Sequence, residues 1–538
     1  MKTRTFTALA CGFAALLAGF ANAQTPSFQW ARRLASTANQ DNELSIGLAL
    51  DSATNIYVTG WFDGTNNFGD VTLTNSSGGG QDIFVARCNP AGALQWVRRA
   101  GGNSSARDGG RGIGVDDARN VYVTGEFVGD ADFGAFNLSA PAKQEFFLVK
   151  YDTTGTVKWA RQSVSAAGNN VYGTGLAVDA AGNTYAIGYA DNHATITFET
   201  KTVLSPHVTG YSTFLVKYDN AGNAQWAQLL GGPGFTYATK VAVDDAGNIY
   251  VRGSFNQTAT IGVSNLVSSV PGLSDMFLAK FNNSGALTWV QRSSGADVDE
   301  GGVAVDQAGN VFVTGWYMDN PITFDGITLT NAGWGDAFLA KYNSAGAIQW
   351  ARRAGGTGLD FYWDVAADRQ GGAYAAGFLS PDAVAPSGTG GAIVAKYDAA
   401  GILQWANSAN GAPANPVAST AAKCAIDPAG NGYLVGWYQP STAFGTTILP
   451  PQGYWNFFLT KVGFTQPTLQ IGWSNSLPQL RVFGEISNRF ALEFVPALPT
   501  SNNWQSFATN AIASPPLILT DTNAAGSSSR FYRARLIP

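Results

Sequence analysis

Apolar and polar positions alternate along most of the chain with the short rhythm of β-strands. Runs such as Ile56-Tyr57-Val58-Thr59 and Val311-Phe312-Val313-Thr314 are β-branched and aromatic, the residue types that fit a pleated, packed surface. No 3.6-residue periodicity competes with them. The runs return in a fixed order, as one pattern of three parts that occurs seven times. A repeat of this kind marks an array of like structural units. The first part is Gln-Trp-Ala-Arg-Arg or a relative of it, centred on Trp30, Trp96, Trp159, Trp226, Trp289, Trp350 and Trp405. The second is Val-Asp-x-x-Gly-Asn-x-Tyr-x-x-Gly, with its acids at Asp51, Asp116, Asp179, Asp244, Asp306, Asp368 and Asp427. The third is Phe-Leu-x-Lys-Tyr, starting at Phe84, Phe147, Phe214, Phe277, Phe338, Ile393 and Phe458.

The second part reads as a tight hairpin. Its Asp can accept from backbone N–H groups just ahead of it, and its Gly tolerates positive φ. The third part joins the next Trp through another hairpin, Asx-x-x-Gly, as in Asn89 to Gly92 and Asp398 to Gly401. Each unit then has four strands, with a variable insertion between the second and third. Repeated four-stranded sheets predict a β-propeller. The chain enters at a Trp strand, Phe28 to Arg33, and leaves the repeats at Phe457 to Lys461, a third strand with no Trp strand after it. The N-terminal strand is therefore expected to complete the last sheet, giving seven blades with no long free edge. Thr54 and Arg119 stand where the turn glycine is expected in the first two units. The neighbouring Asn55 and Asn120 are expected to take the left-handed conformation there.

The motif Val-Asp-x-x-Gly-Asn-x-Tyr-Val-x-Gly followed by Asp-x-Phe-x-x-Lys resembles the SBBP-type β-propeller repeat of secreted bacterial proteins, over roughly residues 28–463. The resemblance implies a secreted seven-bladed propeller. It implies no activity, because these repeats share no catalytic motif.

Composition agrees with an all-β chain of several units. The 538 residues are 45% hydrophobic and 12% aromatic, with 64 glycines and 13% charged residues. That excludes global disorder and a coiled coil. A net charge of −5 offers no electrostatic basis for nucleic-acid binding. Residues 1–23 read as a secretory signal, with Lys2 and Arg4 before an apolar run and Ala21-Asn22-Ala23 as the cleavage site. No stretch reads as a transmembrane segment. Beyond the signal, Cys88 and Cys424 are the remaining cysteines, too few for a disulfide scaffold and expected as small buried hydrophobes. The repeats predict a propeller over 24–465. Residues 466–538 predict a small β-sandwich of about six strands, since prolines and Ser/Asn clusters separate short apolar runs. Its ending, Arg-Phe-Tyr-Arg-Ala, resembles that of small C-terminal β domains of secreted proteins, and implies an accessory or attachment module.

Candidate chemistry is sparse. The seven Trp and seven turn Asp are expected to be structural anchors, the Trp filling wedges between blades rather than stacking sugars. A second acid precedes the first strand in several units: Asp41, Asp108, Asp299 and Asp360. In a propeller that connection reaches the channel mouth, so these four carboxylates are the candidate ligand site. No Asp-x-Asp-x-Asp-Gly loop is present. Asp130-x-Asp132 and Asp297-x-Asp299-Glu300 leave room for a weakly bound calcium, and no other metal or cofactor is expected. His193 and His207 read as exposed polar residues of one insertion. There is no Gly-x-Ser-x-Gly elbow, P-loop or dinucleotide fingerprint. A glycosidase carboxylate pair has no local spacing rule and stays open. The leading expectation is a monomeric secreted scaffold that binds an extracellular protein, glycan or cell-envelope component. The alternatives are an extracellular hydrolase or lyase with carboxylates at the channel mouth, and a structural envelope protein attached through its C-terminal domain.

Overall fold

The computed structural model describes residues 26–37, 46–76, 80–102, 107–166, 169–191, 194–205, 210–383, 390–409, 419–439, 441–452, 454–463, 468–474, 477–483, 489–495, 505–511, 517–522 and 531–537. Among them the regular elements are strands, with no α-helix. The signal segment and Asp41, His193 and His207 lie outside the described residues. The chain divides into two compact units. One is Trp30–Asp427 with Gly432–Lys461; the other is Met1–Gln29, Pro428–Asn431 and Val462–Pro538. The expected boundary near 465 falls a few residues early.

In the repeat unit, four consecutive strands form an antiparallel meander. Val171–Val178, Thr184–Asp191, Tyr211–Tyr218 and Ala224–Leu230 are neighbours in that order. Thr236–Val243, Ile249–Phe255, Asp275–Phe281 and Leu287–Arg292 repeat the arrangement. The first two repeats and the insertion ribbon of the third, Thr195–Phe198 with Lys201–Leu204, merge into a ten-stranded sheet, because Gly101 and Gly102 pair with Asp132 and Ala131 and Ser163–Ser165 pair with Ile196–Phe198. The sheet of Ser419–Ile426, Gly432–Tyr438 and Trp455–Gly463 takes its fourth strand from Ser27–Thr37. There the Thr460 hydroxyl donates to the Trp30 carbonyl at 2.6 Å.

The insertions are more regular than their sequences. Five fold as two-stranded ribbons, for example Thr65–Phe68 with Val71–Thr74 and Ile322–Phe324 with Ile327–Leu329. Each ribbon turns an apolar residue inward. In four of them Phe68, Phe198, Phe324 and Phe444 lie 4.7–5.1 Å, ring centre to ring centre, from Phe84, Phe214, Phe338 and Phe458; the ribbon Thr258–Ile261 buries Ile261 instead, and in the second repeat Phe133, on the long strand Val121–Phe133, lies 5.0 Å from Phe147. The first Phe of Phe-Leu-x-Lys-Tyr is thus what anchors the insertion.

The turn Asp works as a hub. Asp51 accepts from the amides of Ala53 and Asn55, from Asn55 Nδ2 and from the Tyr57 hydroxyl, at 2.7–3.1 Å. Asp116, Asp179 and Asp244 gather the equivalent Asn and Tyr. This network corrects the expectation about the first two turns. Thr54 and Arg119 themselves have positive φ, 60° and 62°. The following Asn cannot take over the left-handed position, because its amide and side chain are both committed to the Asp. The strained residue is the one the hairpin geometry selects, whatever its side chain.

The Trp strand grips the next repeat. The indole N–H of Trp96, Trp159, Trp226, Trp289 and Trp350 donates to the carbonyl of Thr153, Asn220, Asn283, Ser344 and Ala399, at 3.0–3.2 Å. Those carbonyls lie in the Asx-x-x-Gly hairpins. The hairpin glycine is doubly required. Gly346 has φ +86°, and a Cβ there would sit 2.8 Å from the Trp289 ring. The Arg two residues after the Trp joins the grip, as Arg98 Nε donates to the Gly155 carbonyl at 3.0 Å. In every repeat the cation of the third motif lies over the aromatic residue of the second. The pairs run from Arg87 over Tyr57 to Lys461 over Tyr433, at 5.0–5.8 Å.

Cys88 and Cys424 are buried and free. The C-terminal unit holds two three-stranded sheets. Leu477–Phe483 lies between Thr468–Ser474 and Leu517–Thr520, and Arg489–Val495 lies between Gln505–Ala511 and Phe531–Ile537. Leu480, Val482 and Leu492 form its core with Leu517, Leu519 and Tyr532.

Candidate functional site

The first strand of the repeats carries a β-bulge. Register shifts fall at Gly110/Gly112, Gly173/Gly175, Ala238/Lys240, Tyr362/Asp364 and Ala421/Lys423. A bulge re-aims one side chain while the rest of the strand keeps its alternation. The bulged residue is five positions before the turn Asp. In the seven repeats this position holds Ile46, Arg111, Thr174, Thr239, Gly301, Trp363 and Ala422, and all seven line one pocket of about 300 Å³. In the fifth repeat the strand is interrupted altogether, between Asp297–Val298 and Val303–Val305. That break brings Asp299 and Glu300 to the same pocket. Gly302 is required beside it, since a Cβ there would meet the Val365 amide nitrogen at 2.6 Å.

The wall of the pocket departs from the repeat consensus in the third, fourth and seventh repeats. Lys240, Lys423, Tyr189, Tyr237 and Trp437 complete the lining. Tyr237 donates to Glu300 Oε1 at 3.3 Å, and burial raises the carboxyl of Glu300 above its ordinary range, with Asp299 adding to the shift. Arg111 pairs with the buried Glu126 at 2.7 Å. Behind the acids, Arg252 replaces a repeat Thr and is wholly buried. It donates to the Asp299 carbonyl, and burial lowers its pKa to about 10. Arg252 thereby holds the interrupted strand from the preceding repeat. Asp364, on the sixth repeat's first strand, accepts from the Cys424 amide at 3.0 Å. Burial pushes its carboxyl up to about 6, against the pull of Lys240.

A second cavity of about 350 Å³ shares Tyr189, Tyr237 and Asp299 with the first. Tyr211, Phe235, Ser254, Ser274, Asp297 and Val298 line the rest. Its rings are ordered: Tyr189 stacks on Tyr172 at 4.5 Å and meets Tyr211 and Tyr237 edge to face at 5.3 and 4.9 Å.

The acids expected at one opening are not brought together. Asp299 lines both cavities. Asp108 is buried and accepts from the amides of Gly102 and Val128, each at 2.9 Å. Asp360 is buried and accepts from the amides of Gly356 and Ser380 and from the Ser380 hydroxyl. Both caps tie the start of a connection to neighbouring backbone. The expectation is therefore corrected for Asp108 and Asp360, which stand eight positions before the turn Asp and do not line the pocket, while Asp299, seven before, does. Position five holds six residue types in the seven repeats, but the positions beside it vary as well, so variability alone does not mark the lining. Among the described residues no cluster of three His, Cys, Asp or Glu is arranged to hold a metal.

The family model for the SBBP β-propeller repeat matches residues 95–126, 158–193 and 225–254. These three segments are SBBP β-propeller repeats. Each runs from the Trp strand across the bulge and the turn Asp, the elements that grip the next repeat and line the pocket. An uncharacterized WD repeat-containing protein of Acanthamoeba polyphaga mimivirus is 24% identical over 418 residues, covering 64% of this chain and 30% of the relative. The match thus spans less than a third of that relative's length. Among solved structures, a gluconolactonase of Xanthomonas campestris aligns with a TM-score of 0.29 and 15% identity, over 64% of this chain and 90% of that one. A protein of unknown function from Dyadobacter fermentans aligns with a TM-score of 0.36 and 8% identity, over 80% and 98%. At such scores the likeness carries no activity across.

Proposed function

We propose that the repeats close into a seven-bladed β-propeller, and that this is an exported, non-enzymatic binding module whose ligand is a glycan of the extracellular space or cell envelope. Closure is supported by the order of contacts among the first strands. Gly47–Leu50 touches Gly109–Val115, and the contacts run on through Val171–Val178, Thr236–Val243, Val303–Val305 and Phe361–Ala367 to Ser419–Ile426, which touches Gly47–Leu50 again. The pocket then lies on the axis. One observation carries the binding reading: the seven position-five residues that line the pocket are of six types, while the Trp, Asp and Phe anchors of the same repeats recur. Export rests on residues 1–23 and on the resemblance of the repeats. Titration of the full chain with oligosaccharides tests the reading. Binding should weaken at least tenfold in Trp363→Ala and in Tyr189→Ala with the fold intact. Absence of saccharide binding by the folded protein would overturn it.

A second reading is favoured by one feature, the adjacent carboxyls of Asp299 and Glu300 at the pocket, where burial raises that of Glu300. A carboxyl kept protonated by burial suits general acid chemistry. A hydrolase or lyase would show turnover that Glu300→Gln abolishes while binding persists.

A further inference from the structure

We infer that the ligand of the axial pocket is an anionic saccharide, its uronic acid carboxylate held by Lys240 and Lys423 and the adjoining sugar ring taken by the tyrosine-lined cavity. The inference rests on the axial-pocket reading and specifies its ligand.

Lys240 and Lys423 occupy the position four before the turn Asp, where four other repeats have glycine. Two lysines reaching one pocket are therefore additions to the repeat, not part of it. The repeat's own lysines are engaged: Lys150 bonds the Asn220 carbonyl at 3.2 Å and Lys341 the Gly371 carbonyl at 2.8 Å. Lys240 and Lys423 are partly buried in the pocket wall. Among the described residues neither ammonium has a hydrogen-bond or ion-pair partner. A half-desolvated ammonium without a counter-ion is costly, and an incoming carboxylate relieves that cost. The nearby acids do not fill the role. Glu300 and Asp364 act on Lys240 from beyond contact distance, while Glu300 takes a bond from Tyr237 and Asp364 one from the Cys424 amide. Arg111 is held by Glu126.

The second cavity has the opposite character. Among the described residues no lysine or arginine lines it, and its wall combines tyrosine rings with Asp297 and Asp299. Ring faces cover the C–H face of a pyranose, and carboxylates accept from its hydroxyls. Because the two cavities share Tyr189, Tyr237 and Asp299, one ligand reaches both. It is anionic at the lysine end and hydroxyl-rich at the tyrosine end.

The test is calorimetric titration of the full chain with trimers of galacturonate and mannuronate, and with the neutral trimers of galactose and mannose. The uronates should bind at least tenfold more tightly, and the preference should fall as salt rises. Lys240→Met and Lys423→Met keep the aliphatic stem and remove the charge; each should erase most of the preference and leave the neutral trimers unchanged. Near-ultraviolet circular dichroism of each variant checks the fold. Equal binding of neutral and acidic trimers, or a preference that survives both substitutions, overturns this inference and leaves the glycan reading standing. No binding of any trimer by folded protein overturns both. Binding that Tyr189→Ala leaves untouched places the saccharide elsewhere and also overturns both.

Discussion

Single residues in this protein are set by the hairpin they occupy. Thr54 holds a left-handed conformation at φ 60° that β-branched side chains strongly disfavour. Its amide donates to the Asp51 carbonyl at 2.9 Å within the turn, so the strain has no outlet. Thr54→Gly should raise stability by about 0.5–1 kcal/mol, the relieved strain less the added freedom of glycine in the unfolded chain. Urea unfolding measures it, and a loss of stability would refute the assignment of strain. The reverse case is Gly346, where positive φ and the Trp289 ring both exclude a side chain. Gly346→Ala should cost about 2–4 kcal/mol in the same assay.

At the scale of the element, the repeats are held by contacts from one unit to the next. The Trp159 indole reaches the Asn220 carbonyl at 3.1 Å, and the Arg161 guanidinium beside it reaches the Gly222 carbonyl at 2.8 Å. Trp159→Phe keeps most of the buried ring and removes the donor. It should cost about 1 kcal/mol, and Trp159→Ala about 3–5 kcal/mol. Thermal melts would separate the two, and an unchanged melting temperature in Trp159→Phe would mean that the hydrogen bond contributes nothing. The ribbons follow the same logic, each pinned by a buried apolar residue, Phe in four and Ile261 in the fourth repeat.

For the whole molecule, the strand Ser27–Thr37 is the outermost strand of the last sheet. Deleting residues 26–37 leaves the edge of Trp455–Gly463 unpaired, and an unpaired edge invites association. The truncated chain should aggregate on light scattering, and a peptide of residues 26–37 should suppress this. Stability should also depend on pH in a defined direction. Burial raises the carboxyl of Asp108 to about 7 and that of Asp364 to about 6, from ordinary values near 4. The folded state therefore binds more protons than the unfolded state between about pH 4 and 7, and stability falls as pH rises through that window. The melting temperature should drop between pH 5 and 8. A rise over that range would mean that these carboxyls are ionised in the fold at lower pH.

The strand class, the four-strand unit, the two hairpins and the short strands after the repeats were legible in the residues alone. These depend on local chemistry: turn residues at constant offsets and β-branched runs that repeat. The reach of each Trp to the next hairpin was legible as a wedge but not as a hydrogen bond, because its acceptor is a backbone carbonyl that carries no residue signature. Only the tertiary structure decided the pocket. A β-bulge is a shift in pairing, and pairing partners lie in another strand, so Trp363 and Arg111 could not be singled out from their neighbours by alternation alone. For the same reason Asp108 and Asp360, which share a place in the repeat with one another, turned out to cap backbone amides, whereas Asp299 reaches the cavity through a break in its strand. Position along a strand is written in the sequence; the direction a bulged side chain takes is fixed by the strand beside it.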